Sequence, residues 1–514
     1  MRIPLRNTQY ETITHYELRI TSYASRFPLH LNLFWQMNSH ALNNLHRQIP
    51  PPHGRDLPRP RLIARLNEGL RCKLTVLSAP AGYGKTTLLG QWARQAGIKI
   101  AWLSLRPDDN DPARFFRRLI AALRTVNPAI GKGIFEMLRG EGRPGSPAEK
   151  PGMEQALRKL LDQAGLVLHD FAVALDDYQH IQSPPVHEIV TFLLEYQPPQ
   201  MHVFVSSEGD PPWSLAALRT AAQVNEIRAP YLAFSMDEAG ALFNEVMQLQ
   251  LSYGEISALV SRAEAHPAAL KYTALCLKEE RGAAADFIAG FEQDEREALP
   301  CLVEMLLARQ TAEMQAFLSK VFALELLSPA LCEAVSGQGN SAALLRKLAE
   351  TGAFLAPADA AGEWFRFHPF LATYLHDYFR NIAGEAAEAQ RRRAARWLAG
   401  QGFIEEAFQH GLAAHDADLA GQLIEQNARE MLQNGELVTV ERWLSALPEA
   451  AFNARPMLSI CRAWIAVITQ QYEGVETHLE AALAARGNSS RPEEITGHAE
   501  AIRGFLAERG RGDE

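Results

Sequence analysis

The stretch LTVLSAPAGYGKTTLLGQWARQAG, residues 74–97, decides the fold of this chain. An apolar run, LTVLSA, is followed by a glycine-rich turn and then by apolar residues at helical spacing. A strand, a loop ending in Gly-Lys-Thr and a helix, in this order, make a P-loop, where backbone N–H groups and the helix N-terminus surround phosphate oxygens. The stretch therefore predicts a nucleotide site on a parallel sheet.

The residues predicted to contact the nucleotide form one continuous run: Ala79, Pro80, Ala81, Gly82, Tyr83, Gly84, Lys85, Thr86 and Thr87. We expect Lys85 to place its charge at the β- and γ-phosphates and Thr86 to place its hydroxyl on Mg²⁺. Ala79 stands where the usual motif has its first glycine. A methyl group is tolerated there if the backbone does not need a positive φ.

A second apolar strand, FAVALDD (171–177), ends in two carboxylates, Asp176 and Asp177. Ligands of an open α/β sheet lie at the carboxyl ends of its strands, so the pair is expected beside the P-loop. Asp176 would hold Mg²⁺ through water, and Asp177 would orient the attacking water. The alternative is a turn or helix cap after the strand. The predicted catalytic residues are thus Lys85, Thr86, Asp176 and Asp177, and the predicted metal ligands are Thr86 and Asp176.

Two further strands are predicted, IKIAWLSL (98–105) and HVFVSS (202–207). Many P-loop ATPases place a γ-phosphate sensor at the end of the latter strand, but here Ser206, Ser207 and Glu208 occupy it. A carboxylate facing phosphate would repel it. We therefore expect that Glu208 points away or that hydrolysis is impaired.

Beyond the sheet, helices dominate. Amphipathic helices are predicted at 237–249 and 253–278, and a small winged helix at 312–378, where FLAP and WFRFHPF form its strands. Helix pairs recur from residue 391 onward, which is typical of helical repeats. The predicted fold is multidomain α/β plus α: a P-loop NTPase parallel sheet, a helical domain, a winged helix and α-helical, tetratricopeptide-like repeats. The predicted domains are 1–45, a poorly ordered extension; 46–235, nucleotide-binding; 236–310, helical; 311–385, winged helix; and 386–514, incomplete helical repeats.

Composition narrows the functional classes. The 514 residues carry 51 Lys+Arg against 60 Asp+Glu, a formal charge of −9, which disfavours non-specific nucleic-acid binding by the chain as a whole. Five scattered cysteines form no C-x-x-C pair, and no apolar run is long enough to span a membrane. We expect a cytoplasmic protein without a membrane partner. One hypothesis is that translation starts at Met37 instead of Met1.

Five motifs in sequence order resemble the signal-transducing ATPases with numerous domains (STAND), specifically the MalT-like LuxR-type regulators. They are APAGYGKTTLL, WLSLRPDDNDPARFF, ALDDYQHI, DPPWSLAALR and FRFHPFLATYL. The resemblance runs from about Pro58 to the end of the chain. It implies a nucleotide-binding domain, a helical domain and a winged helix that close over ADP, and repeats that sense an inducer.

The resemblance assigns roles to residues outside the P-loop. Pro267 in AEAHPAAL matches the proline of a G-W-P-like motif near the adenine, although Ala265 and His266 replace its Gly and Trp. His368 in FRFHPF matches the winged-helix histidine that reaches the nucleotide phosphate in the closed state. A winged helix also suggests DNA binding, but in the resembling family it acts as a nucleotide-dependent clamp.

Three more positions bear on the nucleotide by resemblance. Glu208 falls where these proteins commonly carry an arginine, which puts γ-phosphate sensing in doubt. Arg59 and Arg61 are expected to flank the opening through which adenine enters.

The expected function is that of an ATP-binding switch in a transcriptional regulator. ADP would hold it closed, ATP would open it, slow hydrolysis would reset it, and an inducer on the repeats would promote self-association in the ATP state. DNA would be bound only through a C-terminal helix-turn-helix that the 514 residues are expected to lack. The alternatives are a stand-alone STAND ATPase or protein-interaction scaffold, and a protein that binds nucleotide without hydrolysing it.

Overall fold

The computed structural model describes residues 49–51, 57–134, 153–279, 298–351, 354–359 and 361–510. The predicted extension at 1–45, with Met37, lies outside the described residues.

A five-stranded parallel sheet forms the centre of the nucleotide-binding part, with strand order β2-β3-β4-β1-β5. Its strands are β1 (Leu74–Ser78), β2 (Lys99–Ser104), β3 (Phe171–Asp176), β4 (Met201–Ser207) and β5 (Val224–Arg228). The predicted α/β fold is confirmed, and each of the four predicted strands is found. β5 escaped prediction because three of the five residues of this edge strand, VNEIR, are polar and it has no continuous apolar run.

Helices cover both faces of this sheet. Short 3₁₀ turns occur at Gly69–Arg71, Pro107–Asn110 and Tyr178–His180. The helices are α1 (Pro60–Glu68), α2 (Lys85–Gln95), α3 (Pro112–Val126), α4 (Met153–Gly165), α5 (Pro184–Tyr196), α6 (Ala216–Thr220) and α7 (Ala229–Leu232). One apolar cluster joins the sheet to α1 and α2, and a second joins it to α3, α4 and α5. The sheet is thus buried on both sides, and its strand ends are where polar side chains gather.

The next segment is helical, with α8 (Met236–Gly240) running into a π-helical stretch (Ala241–Val246), then α9 (Tyr253–Arg262), α10 (Pro267–Glu279) and α11 (Ala298–Ala308). The continuous helix predicted at 253–278 is wrong. Glu264 and Ala265 have φ values of 51° and 54°, which end α9, and Pro267 begins a new helix. The apolar pattern runs on across this break and so conceals it.

A small winged helix follows, as predicted. It contains α12 (Ala312–Val321), α13 (Pro329–Ser336), α14 (Ser341–Thr351), β6 (Leu355–Pro357) and β7 (Phe365–Phe367). β6 and β7 pair antiparallel, and an isolated bridge joins Leu327 to Phe365. FLAP and WFRFHPF therefore supply the hairpin.

One continuous helix, α15 (Pro369–Gly400), leads from the winged helix into the repeats. The suggested domain boundary between residues 385 and 386 lies inside it. The repeat helices are α16 (Ile404–Ala413), α17 (Ala417–Gln433), α18 (Leu437–Ala446), α19 (Glu449–Ala454), α20 (Met457–Ile468), α21 (Val475–Ala485) and α22 (Pro492–Gly510), with a 3₁₀ turn at Arg486–Asn488. α20, α21 and α22 share a separate apolar cluster. Across the described ranges, no helix combines the length and apolar character of a membrane span.

The repeats also contact the nucleotide-binding part directly. We call this the repeat contact, formed by residues 106–117 against 406–439. Arg106 Nη1 bonds to Glu406 Oε1 at 2.6 Å, and Arg117 Nη2 bonds to Glu436 Oε1 at 2.5 Å. The motif RPDDNDPARFF thus contacts the repeats through its first residue, Arg106, and Arg117 directly follows the motif.

Asp111 belongs to both sides of the repeat contact. Its Oδ1 accepts from the backbone N–H groups of Ala113 and Arg114, each at 3.0 Å, and so caps α3. Its Oδ2 accepts from the backbone N–H and the hydroxyl of Thr439, both at 3.2 Å and both buried. One carboxylate therefore starts a helix of the first domain and holds a helix of the repeats.

Candidate functional site

The P-loop joins β1 to α2. Positive φ values occur at Gly82 (83°) and Gly84 (75°), where glycine is favoured, and not at Ala79. This is why an alanine can stand at the first motif position. α2 begins at Lys85, so that its N-terminus faces the turn.

Lys85 lies at the centre of the loop and is buried. Its Nζ atom donates to the carbonyl oxygens of Ala79 at 2.7 Å and Pro80 at 3.0 Å. Burial lowers the pKa of Lys85, and the negative charges of Asp177 and Glu208 partly offset this shift. The ammonium group is therefore placed in the loop with carboxylates close by, Glu208 among them.

Asp176 ends β3, fully buried, and connects three parts of the site. Its Oδ1 accepts hydrogen bonds from Thr86 Oγ1 at 3.0 Å and from Ser206 Oγ. Its Oδ2 has no hydrogen-bond partner within the described ranges. Burial, with help from the negative charge of Asp177, raises the pKa of Asp176 to about 7.

Asp177 has a left-handed backbone, with φ of 61°, which is uncommon for a residue other than glycine. Its backbone N–H donates to Ser206 Oγ at 3.0 Å, and its Oδ1 accepts from Gln179 Nε2 at 3.1 Å. Ser206 thus binds both members of the acidic pair: its hydroxyl donates to the Asp176 carboxylate and accepts from the Asp177 backbone N–H. Because the backbone turns at Asp177, directly after β3 ends, its carboxylate does not follow the direction of the strand.

The donor set fits a nucleotide with a divalent cation. A buried carboxylate oxygen without a partner lies on the same group as the oxygen that binds Thr86, and Mg²⁺ prefers oxygen ligands of these types. Positive charge beside Asp176 would favour its ionised form. The backbone of the loop and the start of α2 supply donors for phosphate.

The helical segment reaches the P-loop at the start of α10. The Nε2 atom of His266 lies 3.2 Å from Ala81 O, and Ala268 N donates to Gly82 O at 3.2 Å. Pro267 is the buried first residue of this helix, directly after His266. The structure therefore brings the predicted residue Pro267 beside the loop, and the neighbouring His266 contacts the loop directly.

The winged helix contributes positive charge. Arg366, on β7, lies close enough to Asp176 for its charge to lower the pKa of that carboxyl, against the stronger effect of burial. His368 follows β7 and precedes α15, and its backbone N–H donates to Phe354 O at 3.2 Å. The predicted His368 thus lies at the end of the β6–β7 hairpin, two residues after Arg366, whose charge acts on Asp176.

Arg59 and Arg61 both bind one carboxylate, that of Glu238. Both side chains bond to the two carboxylate oxygens of Glu238, at distances from 2.8 to 3.1 Å. Both also donate to Ala233 O. Although burial opposes the shift, the two guanidinium groups lower the pKa of Glu238 to about 2. They therefore tie the start of the sheet domain to the start of the helical segment.

Two residues that shape the site were not assigned these roles from sequence. The sequence places Ser206 at the strand tip, and pairing of β1 with β4 places it level with Leu77, between the P-loop strand and Asp176. In the sequence, His266 is only a departure from a motif. The signal for it was Pro267, because proline is common in the first turn of a helix and so marks a turn just before it.

Comparison with known proteins, by family model and by sequence, finds similarity to MalT. The family described as the MalT winged helix domain matches residues 303–389. The HTH-type transcriptional regulator MalT of Serratia proteamaculans (strain 568) is 32% identical over 433 residues, covering 82% of this chain and 46% of that protein. The corresponding protein of Yersinia enterocolitica (strain NCTC 13174 / 8081) is 31% identical over 435 residues, covering 83% of this chain and 46% of that protein.

Among solved structures, a STAND protein with a tetratricopeptide repeat sensor from Pyrococcus horikoshii superposes with a TM-score of 0.61 at 15% identity. The superposition covers 89% of this chain and 66% of that one. The chain spans about half the length of the curated relatives it matches. The resemblance to MalT-like STAND ATPases is confirmed over the matched region.

Proposed function

We propose that this chain, which is MalT-like over most of its length, is the nucleotide-operated switch of a transcriptional regulator. The observation that carries the proposal is the joined site of P-loop and acidic pair, in which Thr86 bonds to Asp176 while Lys85 lies in the loop. Nucleotide binding is supported by this site and by the chain's similarity to MalT and to a STAND protein. The identity of the nucleotide as ATP or ADP, and the switching itself, are part of the proposal.

In this proposal, the run from Ala79 to Thr87 binds the phosphates, and Lys85 neutralises the β- and γ-phosphate oxygens. Thr86 and Asp176 would hold Mg²⁺, which supplies charge neutralisation on the phosphates. Asp177 orients the attacking water from its separately directed position. Hydrolysis is slow, because Glu208 adds negative charge near Lys85 where the resembling proteins commonly have an arginine.

Closure over ADP is supported by two segments that reach the P-loop and Asp176. α10 bonds to the loop through His266 and Ala268, and the winged helix brings the charge of Arg366. We propose that Pro267 lies near the adenine and that His368 reaches phosphate in this closed form. The domain division suggested by the sequence is likewise part of the proposal.

The remaining partners follow from the relatives, whose names describe HTH-type transcriptional regulators. We propose that the repeats bind a small-molecule or protein inducer, that the ATP form self-associates in the cytoplasm, and that DNA is bound through a part of the regulator outside these residues. An open cavity of about 400 Å³ lies on the repeats, lined by Leu412, His415, Ala417, Ala446, Leu447 and Pro448. It is a candidate inducer site.

The Lys85→Ala variant tests the proposal. We expect it to lose measurable ATP and ADP binding in calorimetry, because the ammonium group is the main positive charge in the loop. Asp177→Ala is the matched control, since it removes charge from the acidic pair without touching the loop, and we expect it to retain ATP and stay self-associated. Unchanged ATP affinity in Lys85→Ala would contradict the site assignment.

A second candidate is a protein that binds nucleotide but does not hydrolyse it. The position of Glu208 near Lys85 favours it. A single-turnover ATPase measurement separates the two: slow release of phosphate supports the resetting switch, and none over many hours supports the binding-only protein.

A further inference from the structure

A histidine reaches the P-loop from a distant part of the sequence. The backbone turns sharply after α9 because Glu264 and Ala265 both have positive φ. The imidazole of His266 then lies against the loop, with Nε2 3.2 Å from Ala81 O. This contact joins residues 185 positions apart in the chain.

The imidazole fits the loop closely. The ring of Tyr83 meets it edge-on, with 4.6 Å between the ring centroids. A Cβ atom added to Gly82 would lie 2.5 Å from Cε1 of His266, closer than two carbon atoms can approach. The glycine of the P-loop therefore leaves room for the histidine as well as allowing a positive φ.

The two ring nitrogens of His266 have opposite hydrogen-bond partners. The carbonyl oxygen of Ala81 can only accept, so Nε2 must carry a proton. The backbone N–H of Ala269 donates to Nδ1 at 3.3 Å, so Nδ1 must carry none. Only the neutral imidazole protonated on Nε2 satisfies both bonds.

We propose that His266 is a positioning residue that, in this neutral tautomer, fixes the first turn of the P-loop and couples docking of α10 to retention of the nucleotide. The inference deepens the proposed function and rests on it. His266 acts through Ala81 and Gly82, whose backbone forms part of the phosphate-binding turn. A residue at the beginning of the helical segment thereby shapes a site built on the sheet.

Protonation opposes this arrangement, since an imidazolium would point its Nδ1–H at the N–H of Ala269. Burial lowers the pKa of His266, while the hydrogen bond to Ala81 and, more weakly, the negative charge of Glu264 on the preceding turn oppose that shift. Tyr83 is the titratable side chain facing it from the P-loop. An undocked ring would keep a histidine's ordinary, higher pKa. Well above about pH 6.5 the imidazole is neutral whether or not α10 is docked, so docking of α10 does not depend on pH. As the pH falls through and below that value, protonation of the undocked ring weakens docking.

The experiment follows the release of a fluorescent ADP analogue from the full chain between about pH 5 and pH 8. We expect wild-type protein to release it roughly three- to tenfold faster at the acid end, in line with the loss of one hydrogen bond. His266→Gln keeps an N–H donor but does not titrate, so release at neutral pH should stay near wild type and the acid-induced increase should shrink. His266→Phe keeps a ring without the donor and should release faster at every pH.

His498→Gln is the matched control, because His498 also has a pKa lowered by burial but lies in α22 of the repeats. It should leave the pH profile of wild type unchanged. A pH profile in His266→Gln identical to that of wild type would overturn the proposal, as would nucleotide release from His266→Phe at the wild-type rate.

A second measurement does not need nucleotide. In full chain labelled with ¹⁵N-histidine, the signal lost in His266→Gln should show a proton on Nε2, none on Nδ1, and a pKa below the ordinary value. A proton on Nδ1 at neutral pH would overturn the proposal. A wild-type chain that binds no nucleotide would contradict the proposed function instead, and the tautomer would still decide the role of His266.

Discussion

At the scale of single residues, Ser206 binds both residues of the acidic pair, although it is only a serine at the end of a strand. Its hydroxyl donates to Asp176 and accepts from the backbone of Asp177, so one side chain aligns both carboxylates. Neither bond could be read from the sequence, because pairing of distant strands brings these residues together.

The Ser206→Ala variant should therefore impair hydrolysis more than binding. Hydrogen bonds to charged groups contribute about 1.5 to 3 kcal/mol, so we expect the single-turnover rate to fall roughly ten- to a hundredfold. ATP affinity, measured by calorimetry, should change far less, since the phosphate-binding loop is intact. Ser207→Ala, the adjacent buried serine, serves as the control. Equal losses in rate and affinity would contradict this role.

Residue types still carried much of the prediction. The Gly-Lys-Thr ending, the acidic pair after an apolar strand and the substitution at Ala79 could be interpreted from local rules of backbone and charge. Arg59 and Arg61 could not, because their partner Glu238 lies about 180 residues away, and only the folded chain shows that both guanidinium groups bind one carboxylate.

At the scale of elements, the break between α9 and α10 is the feature that positions His266. Periodicity cannot report such a break when apolar residues continue in both helices. β5 escaped prediction for the opposite reason, since its mostly polar sequence resembles a solvent-exposed loop. Long buried strands were predictable because their apolar pattern is local.

The Ala265→Gly variant should stabilise this break. Ala265 has φ of 54°, and a non-glycine residue in the left-handed region costs roughly 1 kcal/mol that glycine avoids. We expect a higher midpoint of thermal unfolding. The matched control is Ala258→Gly inside α9, which should lower the midpoint, because glycine in a helix interior is destabilising by about 1 kcal/mol. A lower midpoint in Ala265→Gly would argue against strain at the break.

At the scale of the whole molecule, motif order predicted the succession of sheet, helical segment, winged helix and repeats. It did not predict that the repeats fold back onto the nucleotide-binding part. That contact depends on charge pairs such as Arg106 with Glu406 and Arg117 with Glu436, which are about 300 residues apart. A pattern of charges along the chain carries no information about which opposite charges will meet.

A double-mutant cycle on Arg106 and Glu406 tests the repeat contact. Either alanine variant should raise amide hydrogen exchange in residues 105–111 and 436–440, by roughly tenfold if the pair contributes about 1.4 kcal/mol. The double variant should add little, because the pair is already broken. Arg503→Ala, which breaks an exposed pair with Glu476, should change nothing in these segments. Additive effects of Arg106→Ala and Glu406→Ala would show that the two side chains act separately.

The helix α15 has a mechanical consequence. Its 32 residues make a rod about 48 Å long at 1.5 Å per residue. One end begins beside His368, and the other end carries the repeats. A tilt of only 10° about the His368 end would displace the far end by roughly 8 Å for a rod of that length. A small rearrangement beside His368 would thus be amplified into a shift large enough to separate the repeats from the sheet.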